Sequence, residues 1–136
     1  MEGVGRGADP GVPVRELAIT AAVGAGMIVL FDLVASVIAR RTRMPYGRFI
    51  AGSFAIYAVT GGHAVAFGGL PGAALAGMAV ALAEGTVGWA VSWWLGPGRP
   101  PAELRTASNV SAAIVVVILT GAAVGALGGA IRRGFE

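Results

Sequence analysis

The sequence predicts an all-α fold, an integral membrane four-helix bundle, on three observations. The chain has 136 residues, of which 56% are apolar and only 12% charged. Soluble domains average about 45–50% apolar and about 25% charged, so this composition does not suit a water-exposed surface. The apolar residues gather into four runs of 22 or 23 residues, each close to the ~20 that a helix needs to cross a bilayer core. Between the runs stand arginines and the turn-forming residues Gly and Pro. This pattern excludes a soluble enzyme and a disordered segment. The absence of cysteine excludes a disulfide-stapled module, iron–sulfur clusters and thiol chemistry.

The elements follow in order. Residues 1–13 (MEGVGRGADPGVP) are rich in Gly and Pro and are expected to form a disordered tail. Residues 14–136 are expected to form a single transmembrane domain with spans at about 17–39, 49–70, 73–95 and 110–131. Runs this long without alternation are helical, because only a helix or a closed barrel satisfies every backbone group in lipid. The first run is too long for a signal-peptide core and carries Asp32 near its end, so it is read as a span rather than a cleaved leader. The first connection bears Arg40, Arg41, Arg43 and Arg48, and Pro45 prevents the helix from continuing. The second is merely GGLPG at residues 68–72, with Pro71 placed to open the next helix. The third, residues 96–108, opens with Gly-Pro-Gly and carries Arg99 and Arg105.

All ten basic residues are arginine. The net charge is only +3 and no basic stripe is present, so nucleic acid is not expected as a partner. The first and third connections carry six arginines; Arg6, Arg15, Arg132 and Arg133 lie on the other side. The positive-inside rule therefore puts both connections in the cytoplasm and both termini outside a cell (cytoplasmic) membrane. Tyr46, Trp93 and Trp94 fall where interfacial anchors are expected.

Three spans each contain one titratable residue: Asp32, His63 and Glu84. An acidic group at the bilayer centre costs on the order of 3 kcal/mol, so such residues face the bundle interior or a partner and are default site candidates. Measured from the midpoints of the runs, Asp32, Glu84 and His63 are expected to follow one another in depth by roughly 5–6 Å, as a proton ladder would. Thr60 and Thr120 are further polar candidates, the latter as a hydrogen-bond partner of Glu84. The competing reading makes all of them interhelical hydrogen bonds, worth about 0.6 kcal/mol each on average. One His and two acids on separate helices, with no HxxxH or ExxH pair, do not make a metal site. No serine stands in a recognisable triad pattern either, so no catalytic residue is expected and the chain is not read as an enzyme.

Glycine (23) and alanine (27) together fill 50 positions. Gly121, Gly125 and Gly129 repeat every four residues, as do Gly77, Ala81 and Gly85. Such small-xxx-small strips let helix backbones approach closely and predict packing, within the chain or between copies. The sequence favours a non-catalytic membrane subunit or scaffold whose buried polar groups are packing contacts, with no cofactor. The bilayer and either a second copy or a partner membrane protein are its expected companions. The alternative is a small oligomeric channel or proton-coupled transporter using Glu84, Asp32 and His63.

Overall fold

A computed structural model describes residues 11–136. Most of the expected tail, residues 1–10 with Arg6, lies outside the described residues. Its last three residues, 11–13, form the first turn of α1 (Gly11–Thr42), where Pro13 costs no hydrogen bond because the first N–H groups of a helix have no intrahelical acceptor. α1 runs 32 residues, with Arg40 and Arg41 in the last turn, where the helix dipole favours positive charge. It stops at Arg43, which takes a left-handed φ of 56° two residues before Pro45. A short 3-10 turn, Tyr46–Phe49, leads into α2 (Ile50–Ala83).

α2 is not one straight rod. Gly69 leaves helical geometry at φ 63° and ψ −162°, a conformation that suits a residue without Cβ. The chain folds back there. Ser53 and Glu84, 31 residues apart in sequence, are joined by a 2.6 Å hydrogen bond, whereas a continuous helix would hold them ~46 Å apart. Pro71 then opens the return arm, where its missing N–H is again harmless. The return arm passes through a π-helical turn, Glu84–Gly88, into α3 (Trp89–Leu95) and ends at Gly96, φ 105°. Arg99 closes this end by donating from Nε and Nη2 to the Trp93 carbonyl, at 3.0 and 2.7 Å. After a 3-10 turn at Ala102–Leu104, α4 (Ala107–Gly134) begins at a Thr106 cap that accepts from the Asn109 N–H at 3.2 Å.

The described residues are helical, without strands. Three helical segments, of 30, 50 and 28 residues, are long and apolar enough to cross a membrane by length and composition. Large apolar side chains cover their outer surfaces, Leu30, Val59 and Leu119 among them. The interior is built from small residues around Ile28, Tyr57, Val80 and Ala81. α1 turns one stripe inward, with Thr20, Gly24, Ile28, Asp32 and Ser36 at steps of four. α4 lies across both arms of α2 on its glycines. A methyl group at Gly61 would run into the backbone of Gly125, one at Gly128 into Ala58, and one at Gly77 into Gly121. Gly129 packs on Ala73, and Gly121 on Ala81. Gly85 shares the four-residue repeat but not the close approach: a methyl group added there would meet Ile114 at an ordinary 3.6 Å. Small residues at helix contacts are what let two backbones approach this closely.

Candidate functional site

Asp32 sits on the inward stripe of α1, 1% exposed. Its Oδ1 accepts a hydrogen bond from the Tyr46 hydroxyl at 2.8 Å, while Oδ2 is buried against Gly88 with no hydrogen-bond partner. Tyr46 can reach it because the interruption of the helix at Arg43–Pro45 turns the first residue of the 3-10 turn back over the end of α1. Glu84 opens the π-helical turn and accepts from Ser53 Oγ. π-Helical turns interrupt the regular ladder and concentrate at functional sites. This one runs from Glu84, beside Ser53, to Gly88, beside Asp32.

Asp32 and Glu84 line one cavity of about 280 Å³. Its walls come from α1, the Tyr46–Phe49 turn, the first arm of α2, the π-helical turn and the Val116–Thr120 stretch of α4. They are aromatic and aliphatic, with Phe31, Phe54, Tyr57 and Trp89 among them, and no basic side chain lines the cavity among the described residues. A second cavity, about 410 Å³, shares Tyr46 and Trp89 with the first and extends past Trp93 and Asn109 toward Pro100 and Leu104. Trp89 and Trp93 stack in its wall with ring centroids 6.3 Å apart. Asp32 is buried and Glu84 half-buried between apolar walls with no basic partner among the described residues, a setting that favours neutralisation by a proton or an added cation, because an unpaired buried charge is costly.

The remaining candidates fall elsewhere. His63 is exposed, its ring edge-on to Phe67 at 5.5 Å, and it lines a different cavity with Glu16, Thr20 and Thr60. The expected depth ladder therefore breaks at His63. Reckoned from the fold-back at Gly69, Glu84 is fifteen residues away and His63 only six, so the two differ in depth by about 13 Å rather than one 5 Å step. Midpoints of the apolar runs mislead because the two arms reach unequal distances from the turn. Thr120 does line the acidic cavity, but its hydroxyl donates to the Val116 carbonyl of its own helix at 2.8 Å, not to Glu84. Thr60 is buried next to Gly24. Tyr46, expected as an interfacial anchor, is half-buried as the donor to Asp32. Trp94 is 80% exposed, Trp93 half-buried, and Arg40, Arg41, Arg43 and Arg48 are exposed. Among the described residues no group of three His, Cys, Asp or Glu side chains is gathered as a metal site would need.

Sequence reasoning missed Ser53 and the role of Tyr46. The signal for Ser53 lies in the turn: with the fold-back at Gly69, positions sixteen before and fifteen after it face each other, which pairs Ser53 with Glu84. Nothing local marks Tyr46 as the partner of Asp32, fourteen residues earlier. No family model, no curated protein and no solved structure matches this chain.

Proposed function

We propose that this chain is a multi-pass protein of the cytoplasmic membrane, crossing it four times, and that it moves a proton or another cation through the Asp32–Glu84 cavity. The four-span count is supported by the turn at Gly69: a 50-residue apolar segment would be ~75 Å long as one rod, against a bilayer core of ~30 Å. Folded back, it supplies two spans. The six arginines at 40–48, 99 and 105 then share one end of the bundle, which the positive-inside rule assigns to the cytoplasm.

The observation that carries the functional reading is the pair of carboxylates, from α1 and from the end of the return arm, lining one cavity without a basic group. A packing role needs only hydrogen-bonding groups, which Ser, Thr or Asn supply at lower cost in lipid. Acidic side chains that share a cavity can exchange a proton or cation. Such a role needs neither catalysis nor a cofactor from the chain.

A second reading keeps the chain as a membrane subunit or scaffold. Its support is that each carboxylate already accepts a bond from inside the chain, Tyr46 to Asp32 and Ser53 to Glu84, as a packing contact would. Flux separates the two. Purified protein in liposomes carrying a pH gradient is expected to dissipate the gradient faster than empty liposomes, and Glu84→Gln to remove the excess. Wild-type vesicles as tight as empty ones would leave the subunit reading.

A further inference from the structure

The acidic cavity has features that a proton path does not require. A proton needs a chain of donors and acceptors; it does not need about 280 Å³ of space walled by aromatic rings. The hydroxyl donors joined to the carboxylates among the described residues, Tyr46 and Ser53, already direct their bonds at Asp32 and Glu84. A hard inorganic cation is poorly served, since it seeks about six oxygen ligands, and the walls supply chiefly carbon. Anions are opposed by both carboxylates and met by no basic group among the described residues.

An organic cation meets each feature. Its low charge density asks for few ligands, its substituents fit apolar walls, and aromatic faces attract it within about 6 Å through their quadrupoles. Asp32 is almost fully buried, its Oδ2 unpartnered and packed against Gly88, so its charge acts on the cavity through the wall, while half-buried Glu84 is the more accessible carboxylate. Exposed apolar side chains line the same cavity, Ile50 at 59% and Val116 at 60% exposure. It therefore opens on the flank of the helices, between α2 and α4. The neighbouring cavity behind Tyr46 and Trp89 leaves room for a longer substituent. Small-molecule sites share this design, with apolar walls and a few convergent polar groups.

We propose that the cavity binds a monovalent organic cation with apolar or aromatic substituents, seated between the carboxylates of Asp32 and Glu84 and the rings of Phe31, Phe54 and Trp89. The proposal rests on the cation-handling reading above and names the class of its substrate.

The test is equilibrium binding of benzyltrimethylammonium to the full chain in nanodiscs, with uncharged neopentylbenzene, its carbon analogue, as control. Trp89 lies in the cavity wall, so saturable quenching of tryptophan fluorescence by the ammonium is expected, stronger than by the control. Glu84→Gln and Asp32→Asn should each weaken it about tenfold or more. Phe54→Ala, on a partly exposed wall position, should weaken it several-fold while leaving both carboxylates in place, and it keeps the proposal testable should an acidic variant fail to fold. Equal binding of the two probes, or unchanged affinity in Glu84→Gln and Phe54→Ala, overturns the proposal. Glu84-dependent proton flux without ammonium binding overturns the organic cation alone. Saturable, Glu84-dependent binding without any flux supports the site and overturns the transport reading.

Discussion

Asp32 and Glu84 depend on hydroxyl donors that the fold brings from a distance, Tyr46 at 2.8 Å and Ser53 at 2.6 Å. Removing its donor leaves the buried Asp32 carboxylate without a partner, which typically costs about 1–3 kcal/mol, and half-buried Glu84 loses less. Tyr46→Phe and Ser53→Ala are each expected to lower the melting temperature in a fixed detergent. Tyr46→Phe should have the larger effect, because Asp32 then has no side-chain donor left and is nearly fully buried. Melting curves identical to wild type would contradict the two hydrogen bonds. At this scale the sequence was legible in kind but not in pairing. Acidic residues inside apolar runs announce a site by their cost, yet Asp32 alone does not reveal Tyr46, nor Glu84 Ser53. Those pairings depend on where the chain turns.

The elements owe their packing to glycine, but not uniformly. Gly121 rests on the Ala81 side chain and the Gly77 backbone, whereas a methyl group added at Gly85 would meet Ile114 at 3.6 Å. Gly121→Leu is therefore expected to push α4 off α2 and to destabilise by about 1–3 kcal/mol or more. Gly85→Ala should be tolerated, since an ordinary van der Waals contact greets the new methyl and alanine is the better helix former. Thermal unfolding in detergent checks both, and equal losses would contradict this packing. A four-residue repeat marks both glycines alike in the sequence; only the neighbouring helix tells them apart. Periodicity reports which residues share a face, not how closely another backbone comes to it. The turn at Gly69 was legible from GGLPG with Pro71, because φ above zero and a helix-opening proline are local demands. The π-helical turn at Glu84–Gly88 has no such local mark.

At the scale of the whole molecule the central geometrical claim is the reversal of the 50-residue segment. The chain has no cysteine, so single cysteines report topology without background. Gly47→Cys and Ala102→Cys occupy exposed positions in the two arginine-bearing connections, and Gly134→Cys has open space around it. Four spans predict that residues 47 and 102 label from the same side and residue 134 from the other. Labelling of 47 and 102 from opposite sides would mean that the segment crosses only once. The ends of the bundle also separate the polar candidates: His63 lies nearer the Gly69 turn and the acidic pair nearer the arginine-bearing end. A ladder through all three residues is therefore replaced by a single acidic cavity.

Two buried or half-buried carboxylates can either carry a cation or merely pack. Proton flux into liposomes and melting temperature should be measured side by side for wild type, Asp32→Asn and Glu84→Gln, the neutral isosteres that retain a hydrogen-bond acceptor. The expected result is a wild-type flux above that of empty vesicles which either substitution abolishes, in protein that still folds and elutes as wild type. Folded variants that conduct as well as wild type would contradict it.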